Sequence, residues 1–264
     1  MKFIFIVPSN RHLSINKHLQ VSEIKFQNLP CFKPSRAAPL TGHPGWLKIA
    51  HVQTNEKTIL CFGDSNTWGY APGNGKRYGP DIRWPRIMET ELGPGWRVIE
   101  EGLNGRTTVF EDQIRADRRG LSCLPMLLDT HSPLDLVVVM LGTNDTKTRI
   151  HVPVTDIGLG WTRIADTILR GFQYTEGRVP QLLLVAPPVI LPSPGLIETF
   201  EGAVEKSKRF AETLSGVAKQ FGCHFFNSGD VVQSSPIDGI HLSPESHLLL
   251  GKAMALLASK ILVG

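Results

Sequence analysis

The chain of 264 residues is poor in cysteine: Cys31, Cys61, Cys123 and Cys223 are widely spaced and form no CxxC pair. That scarcity argues against a zinc site or a disulfide framework and leaves buried free thiols as the reading. An excess of charge of one sign is also missing from most of the chain. Of 28 Lys and Arg and 24 Asp and Glu, residues 1–55 hold seven bases and one acid, so 21 bases face 23 acids in the remainder. A slightly acidic body lacks the electrostatic footprint of a nucleic-acid binder, and no nucleic-acid partner is expected. Long hydrophobic runs are not expected either: the opening MKFIFIVPSN has only five apolar residues after its lysine, shorter than a secretory core, and no later run reads as a membrane span. The expectation is a cytoplasmic protein without a membrane partner, with organelle targeting by the basic leader left open. Three motifs are missing as well. Around Ser65 there is no G-x-S-x-G elbow, no GK[ST] phosphate loop and no G-x-G-x-x-G fingerprint.

What is present falls into two parts. Residues 1–55 carry Pro30, Pro34, Pro39 and Pro44 with no sustained period and read as a poorly ordered extension. Residues 56–264 read as one domain. Strand-length apolar runs recur at 58–62, 96–100, 134–141, 181–186 and 223–227. Helical patterns lie between them at 83–92, 121–130, 154–171 and 197–221, and a last helix over 244–262 is capped by Ser243 with Pro244 in its first turn. Alternating strands and helices predict an α/β fold, a mostly parallel five-stranded sheet covered on both faces.

In such sheets functional groups collect beyond the carboxyl ends of the strands. Those positions hold Gly63-Asp64-Ser65, Glu101–Thr108, Gly142–Lys147 and Ser235–His241. By itself Ser65 suits a nucleophile, a phosphate-binding hydroxyl or a helix cap. A nucleophile needs a base, and a base needs an orienting carboxylate. Asp238 and His241, three residues apart across Gly239, supply that pair from one loop. The N–H of Ser65, the N–H of Gly105 and the amide of Asn144 are candidate donors to an oxyanion. Asp64 reads as a brace for the turn, and Asp145 as a loop organiser that Arg106 pairs with, unless Arg106 pairs with Glu101. Trp68 and Ile240 flank the nucleophile and base and either line a pocket or pack inside. Lys147 either meets a polar substrate group or is a solvated loop lysine. The remaining histidines show no ligand spacing, and no metal or cofactor is expected.

GDS at 63–65, the glycine of NGRTT at 105, GTND at 142–145 and DGIH at 238–241 together resemble the SGNH hydrolase (GDSL-like) family, most closely its bacterial arylesterase and acyltransferase branch. The resemblance implies a flavodoxin-like three-layer α/β/α sandwich and a serine esterase acting on small acyl esters, with acyl transfer as a side activity and a homo-oligomeric assembly. It further implies Ser65 as nucleophile, His241 as base, Asp238 as its orienter, and Gly105 and Asn144 as oxyanion donors. Asn66 stands where the family commonly carries an apolar residue, and with Trp68 it is expected to bear on which ester binds. The competing reading is a phosphate- or nucleotide-binding module built on the turn Gly63–Gly69.

Overall fold

The computed structural model describes residues 56–171, 178–193 and 198–264. The expected extension 1–55 lies outside the described residues. Among the described residues five strands form: β1 (Lys57–Gly63), β2 (Trp96–Gly102), β3 (Leu136–Met140), β4 (Gln181–Ala186) and β5 (His224–Asn227). They lie in the order β2-β1-β3-β4-β5, and every neighbouring pair is parallel. The five predicted strands are therefore all present, in a sheet that is wholly rather than mostly parallel.

Period-2 alternation divides the strand side chains between two buried faces. Leu60, Phe62, Val137, Val139, Leu182 and Leu184 point to one core, closed by α3 (Gly120–Thr130), α4 (Val154–Asp166) and α6 (Phe210–Phe221). Ile59, Cys61, Val98, Val138, Met140 and Val185 point to the other, closed by α2 (Trp84–Leu92) and α7 (Pro244–Val263). Trp161 and Phe210 meet edge to face at 5.2 Å in the first core, and Trp161 Nε1 donates to Leu141 O at 3.0 Å. Truncating Trp161 to alanine would cost about 3–5 kcal/mol.

Two helical expectations are corrected. The single helix read over 197–221 is two: α5 (Ala203–Lys208) and α6, separated at Arg209, with α5 entered from Gly202 at φ 73°. The break follows from their different partners. Ala203 of α5 packs with Ile190 and Ile240 away from the sheet, and Ser207 Oγ accepts from Ile190 N, while α6 lays Phe210, Leu214 and Val217 on the sheet. One straight helix cannot face both. The 20-residue α7 is, by length and composition, long and apolar enough to cross a membrane, against the expectation that no run is. Its stripe of Leu250, Met254 and Leu257 is instead buried in the second core beside α2.

Candidate active site

The stretch Gly63–Gly69 folds as a strand end followed by one short helical turn, α1 (Ser65–Trp68). Asp64, not Ser65, is its cap: the carboxylate accepts the Asn66 N–H at 2.9 Å, and Gly69 closes the turn at φ 88°. The turn sits hard against the sheet. A Cβ on Gly63 would lie 2.0 Å from Thr67 Oγ1, and one on Gly102 would lie 2.2 Å from Trp68 N. Only glycine at the ends of β1 and β2 lets α1 dock there. Since β1 lies between β2 and β3, the turn stands at the switch point where connections leave for opposite sides of the sheet.

Ser65 is 6 % exposed, and its Oγ lies 2.9 Å from His241 Nε2. His241 Nδ1 donates to Asp238 Oδ2 at 2.7 Å, so the hydrogen bonds run continuously from hydroxyl through imidazole to carboxylate. The other Asp238 oxygen accepts the N–H groups of Ile240 (3.0 Å) and His241 (2.9 Å). Gly239, at φ 76°, makes the turn that lets one loop present both side chains to one point. Burial pushes the Asp238 carboxyl up, but its hydrogen bonds to the His241 ring and to the two N–H groups outweigh it, holding the group below its ordinary value. Tyr70, which the sequence reading did not single out, stacks on the His241 ring with centroids 4.1 Å apart.

Two of the backbone donors expected at the oxyanion have no acceptor. The N–H groups of Ser65 and Gly105 reach no protein acceptor among the described residues, and Gly105 adopts φ 87° in a turn closed by Arg106 N to Leu103 O. Asn144 stands on a short 3₁₀ turn after β3; its Nδ2 donates to Arg106 O at 3.1 Å and, at a long 3.4 Å, to Asp64 Oδ2. Burial raises Asp64 to about 6, against the opposing pull of the Asn66 N–H and of His241, Lys147 and Arg106. Asp145 organises the neighbouring loop as expected, accepting the Thr108 N–H at 3.0 Å and its hydroxyl, and burial raises it to about 7. Arg106 pairs with neither expected carboxylate. Its guanidinium donates to the carbonyls of Gly63 and Glu101 over the Phe62 ring, while the Glu101 carboxylate meets His131.

The three residues read as substrate contacts are placed differently from one another. Trp68 is half-buried, with the Arg77 guanidinium 5.2 Å over its ring and Arg77 Nε bonded to its carbonyl. Ile240 is buried and packs with Ile190, Ala203, Phe200 and Val204, which favours the packing alternative. Lys147 is neither a solvated lysine nor a free cation at the site. It is 5 % exposed, with Nζ 3.3 Å from Asp112, whose carboxylate is also gripped by Arg149 at 2.7 Å. Desolvation lowers the lysine, and the Arg149 hydrogen bond holds Asp112 well below the usual carboxylate range. Asn66, expected to shape the ester pocket, is buried and bonds to the backbone of the His241 loop. Among the described residues no group of three or more His, Cys, Asp or Glu is placed to hold a metal ion.

Residues 61–249 match the GDSL-like lipase/acylhydrolase family. Among solved structures, the chain is similar to an aryl esterase from M. smegmatis at 38% identity and a TM-score of 0.75, covering 78% of this chain and 100% of that one. A carbohydrate acetylesterase from Sinorhizobium meliloti is similar at 39% identity and a TM-score of 0.75, with the same two coverages of 78% and 100%. Comparison with curated protein sequences gives no match.

Proposed function

The chain belongs to the GDSL-like lipase/acylhydrolase family and is an ester hydrolase, and from that premise we propose that it cleaves short-chain, acetyl-type esters of aryl, alkyl or sugar alcohols through an acyl-enzyme on Ser65. The observation that carries the mechanism is the unbroken run of hydrogen bonds from Ser65 Oγ through His241 to Asp238. Ser65 Oγ attacks the acyl carbon as its proton passes to His241 Nε2, and the Asp238 carboxylate stabilises the imidazolium so formed. The carbonyl oxygen, now negative, takes the free N–H groups of Ser65 and Gly105, with the Asn144 amide as third donor in place of its long contact to Asp64. Collapse of the intermediate breaks the ester C–O bond, and the departing alkoxide takes the proton from His241. Water then repeats the sequence on the acyl-enzyme and releases the acid.

The aryl and sugar leaving groups rest on the similarity to the aryl esterase and the carbohydrate acetylesterase. The phosphate- or nucleotide-binding reading gives Asp238 and His241 no task and is not favoured. An alcohol in place of water would make the second step an acyl transfer. The observation behind that reading is the loop after β4: Leu191 N donates to Gly239 O at 2.8 Å and Ile190 is buried, so the loop walls off the His241 turn from one side. The test is an ester panel varying acyl length and alcohol, run with and without a competing alcohol acceptor. Acetyl esters turned over fastest support the proposal, and transfer product with the acceptor adds the second activity. Turnover of long acyl esters alone, or of no ester, overturns it.

A further inference from the structure

Asn66 follows the nucleophile in the chain, is 2 % exposed, and faces away from solvent toward the loop that carries the base. Its Oδ1 accepts the Leu242 N–H at 3.1 Å, and its Nδ2 donates to the Ile240 carbonyl at 3.3 Å. The two partners are one donor and one acceptor, so they fix which end of the amide faces which group. They are also the residues on either side of His241. One side chain thus grips the backbone on both flanks of the imidazole, from a helical turn whose first residue is Ser65.

We propose that Asn66 is a positioning residue that sets the Ser65–His241 separation by clamping the base loop to the nucleophile turn. The inference rests on Ser65 and His241 acting as nucleophile and base. The clamp completes a set of restraints around the same peptide units. The Ile240 N–H is held by Asp238 Oδ1 and its carbonyl by Asn66, while Tyr70 covers the imidazole face. Within the loop, Gly239 N to Ser235 O and Ser235 N to His241 O keep the turn closed without help from Asn66. Losing the amide therefore leaves the loop folded but free to shift against α1, and the reacting geometry is what suffers. Displacements of about 1 Å at a reacting pair cost on the order of 10²-fold in rate.

The experiment compares wild type, Asn66→Leu, Asn66→Asp and Ser65→Ala on a chromogenic acetate, with thermal melting and the rate of covalent labelling by a serine-directed phosphonate. Leucine fills the space and removes both bonds. Aspartate keeps the acceptor for Leu242 and loses the donor to Ile240, so it still reports on the clamp where leucine fails to fold. The expected result is a fall in kcat of about 10²-fold in Asn66→Leu with KM within about threefold of wild type. Phosphonate labelling slows in parallel, and Asn66→Asp falls between. A folded variant with wild-type kcat overturns the proposal, and so does a raised KM at unchanged kcat, which would make Asn66 a pocket residue after all. If Ser65→Ala retains turnover, it is the assignment of the nucleophile that fails; if Ser65→Ala is dead while both Asn66 variants behave as wild type, the clamp alone fails.

Discussion

On the proposed mechanism, replacing Asp238 by asparagine should leave the loop standing and disable the base. Asp238 Oδ1 already accepts two backbone N–H groups, from Ile240 at 3.0 Å and His241 at 2.9 Å, and those donors demand that the asparagine carbonyl oxygen take that position. The new NH₂ then faces His241 Nδ1, where the carboxylate had accepted the Nδ1–H hydrogen bond at 2.7 Å. Two donors cannot share that line, so the imidazole shifts its proton to Nε2 and presents N–H, not a lone pair, to Ser65 Oγ. A wrong tautomer of this kind in a serine triad costs about 10⁴ in kcat, equivalent to about 5.4 kcal/mol at 1.36 kcal/mol per decade. Substrate binding does not use the carboxylate, so KM should stay within a few fold. The assay is steady-state turnover of a chromogenic acetate, paired with thermal melting to show the retained fold, with an expected change in Tm under about 5 °C. A folded Asp238→Asn enzyme keeping more than a tenth of wild-type kcat would show that the carboxylate does not set the His241 tautomer.

Asn144→Ala should lower kcat by about 10²–10³-fold with KM little changed, and a defect confined to KM in steady-state kinetics would contradict its place at the oxyanion. Lys147→Met should leave KM within about twofold but lower stability by about 1–3 kcal/mol in denaturant melts, because Asp112 keeps Arg149 as its one ion-pair partner among the described residues; a raised KM with unchanged stability would return Lys147 to the substrate. Asp145 links stability to pH in a definite direction. Its carboxyl ionises near 3.8 in the unfolded chain and about 7 in the fold, so across that window the folded protein holds the extra proton and this group's contribution falls as pH rises. Asp145→Asn removes that slope. The difference in Tm between wild type and variant should shrink or reverse from pH 4 to pH 7, and parallel curves would contradict the buried, proton-holding carboxyl.

The parts of the fold that could be read in advance are those where one local rule acts alone. Strands buried on both faces appear as unbroken apolar runs, and each was found within a few residues of its predicted bounds. The meeting of Ser65, Asp238 and His241 was legible because the strand-end rule put them at one place. Side chains whose role depends on distant backbone were not. Lys147 read as a substrate contact or a solvated loop lysine because its partner, Asp112, is 35 positions away. Asn66 looked like a pocket residue because its partners, Ile240 and Leu242, are about as far along the chain as Asp238 and His241 and offer only backbone groups, which carry no sequence signal. The break between α5 and α6 was hidden for the opposite reason: apolar spacing continues through both, and only their separate packing partners divide them.

Formation of a covalent acyl-enzyme on Ser65, with His241 as its base, is tested most directly by treating the full chain with a serine-directed phosphonate and locating the adduct by peptide mass spectrometry. One adduct on Ser65 is expected, with none in Ser65→Ala, greatly slowed labelling in His241→Ala, and loss of ester turnover in step with labelling. An adduct on another residue, or full turnover by an enzyme whose Ser65 is labelled or absent, would contradict it.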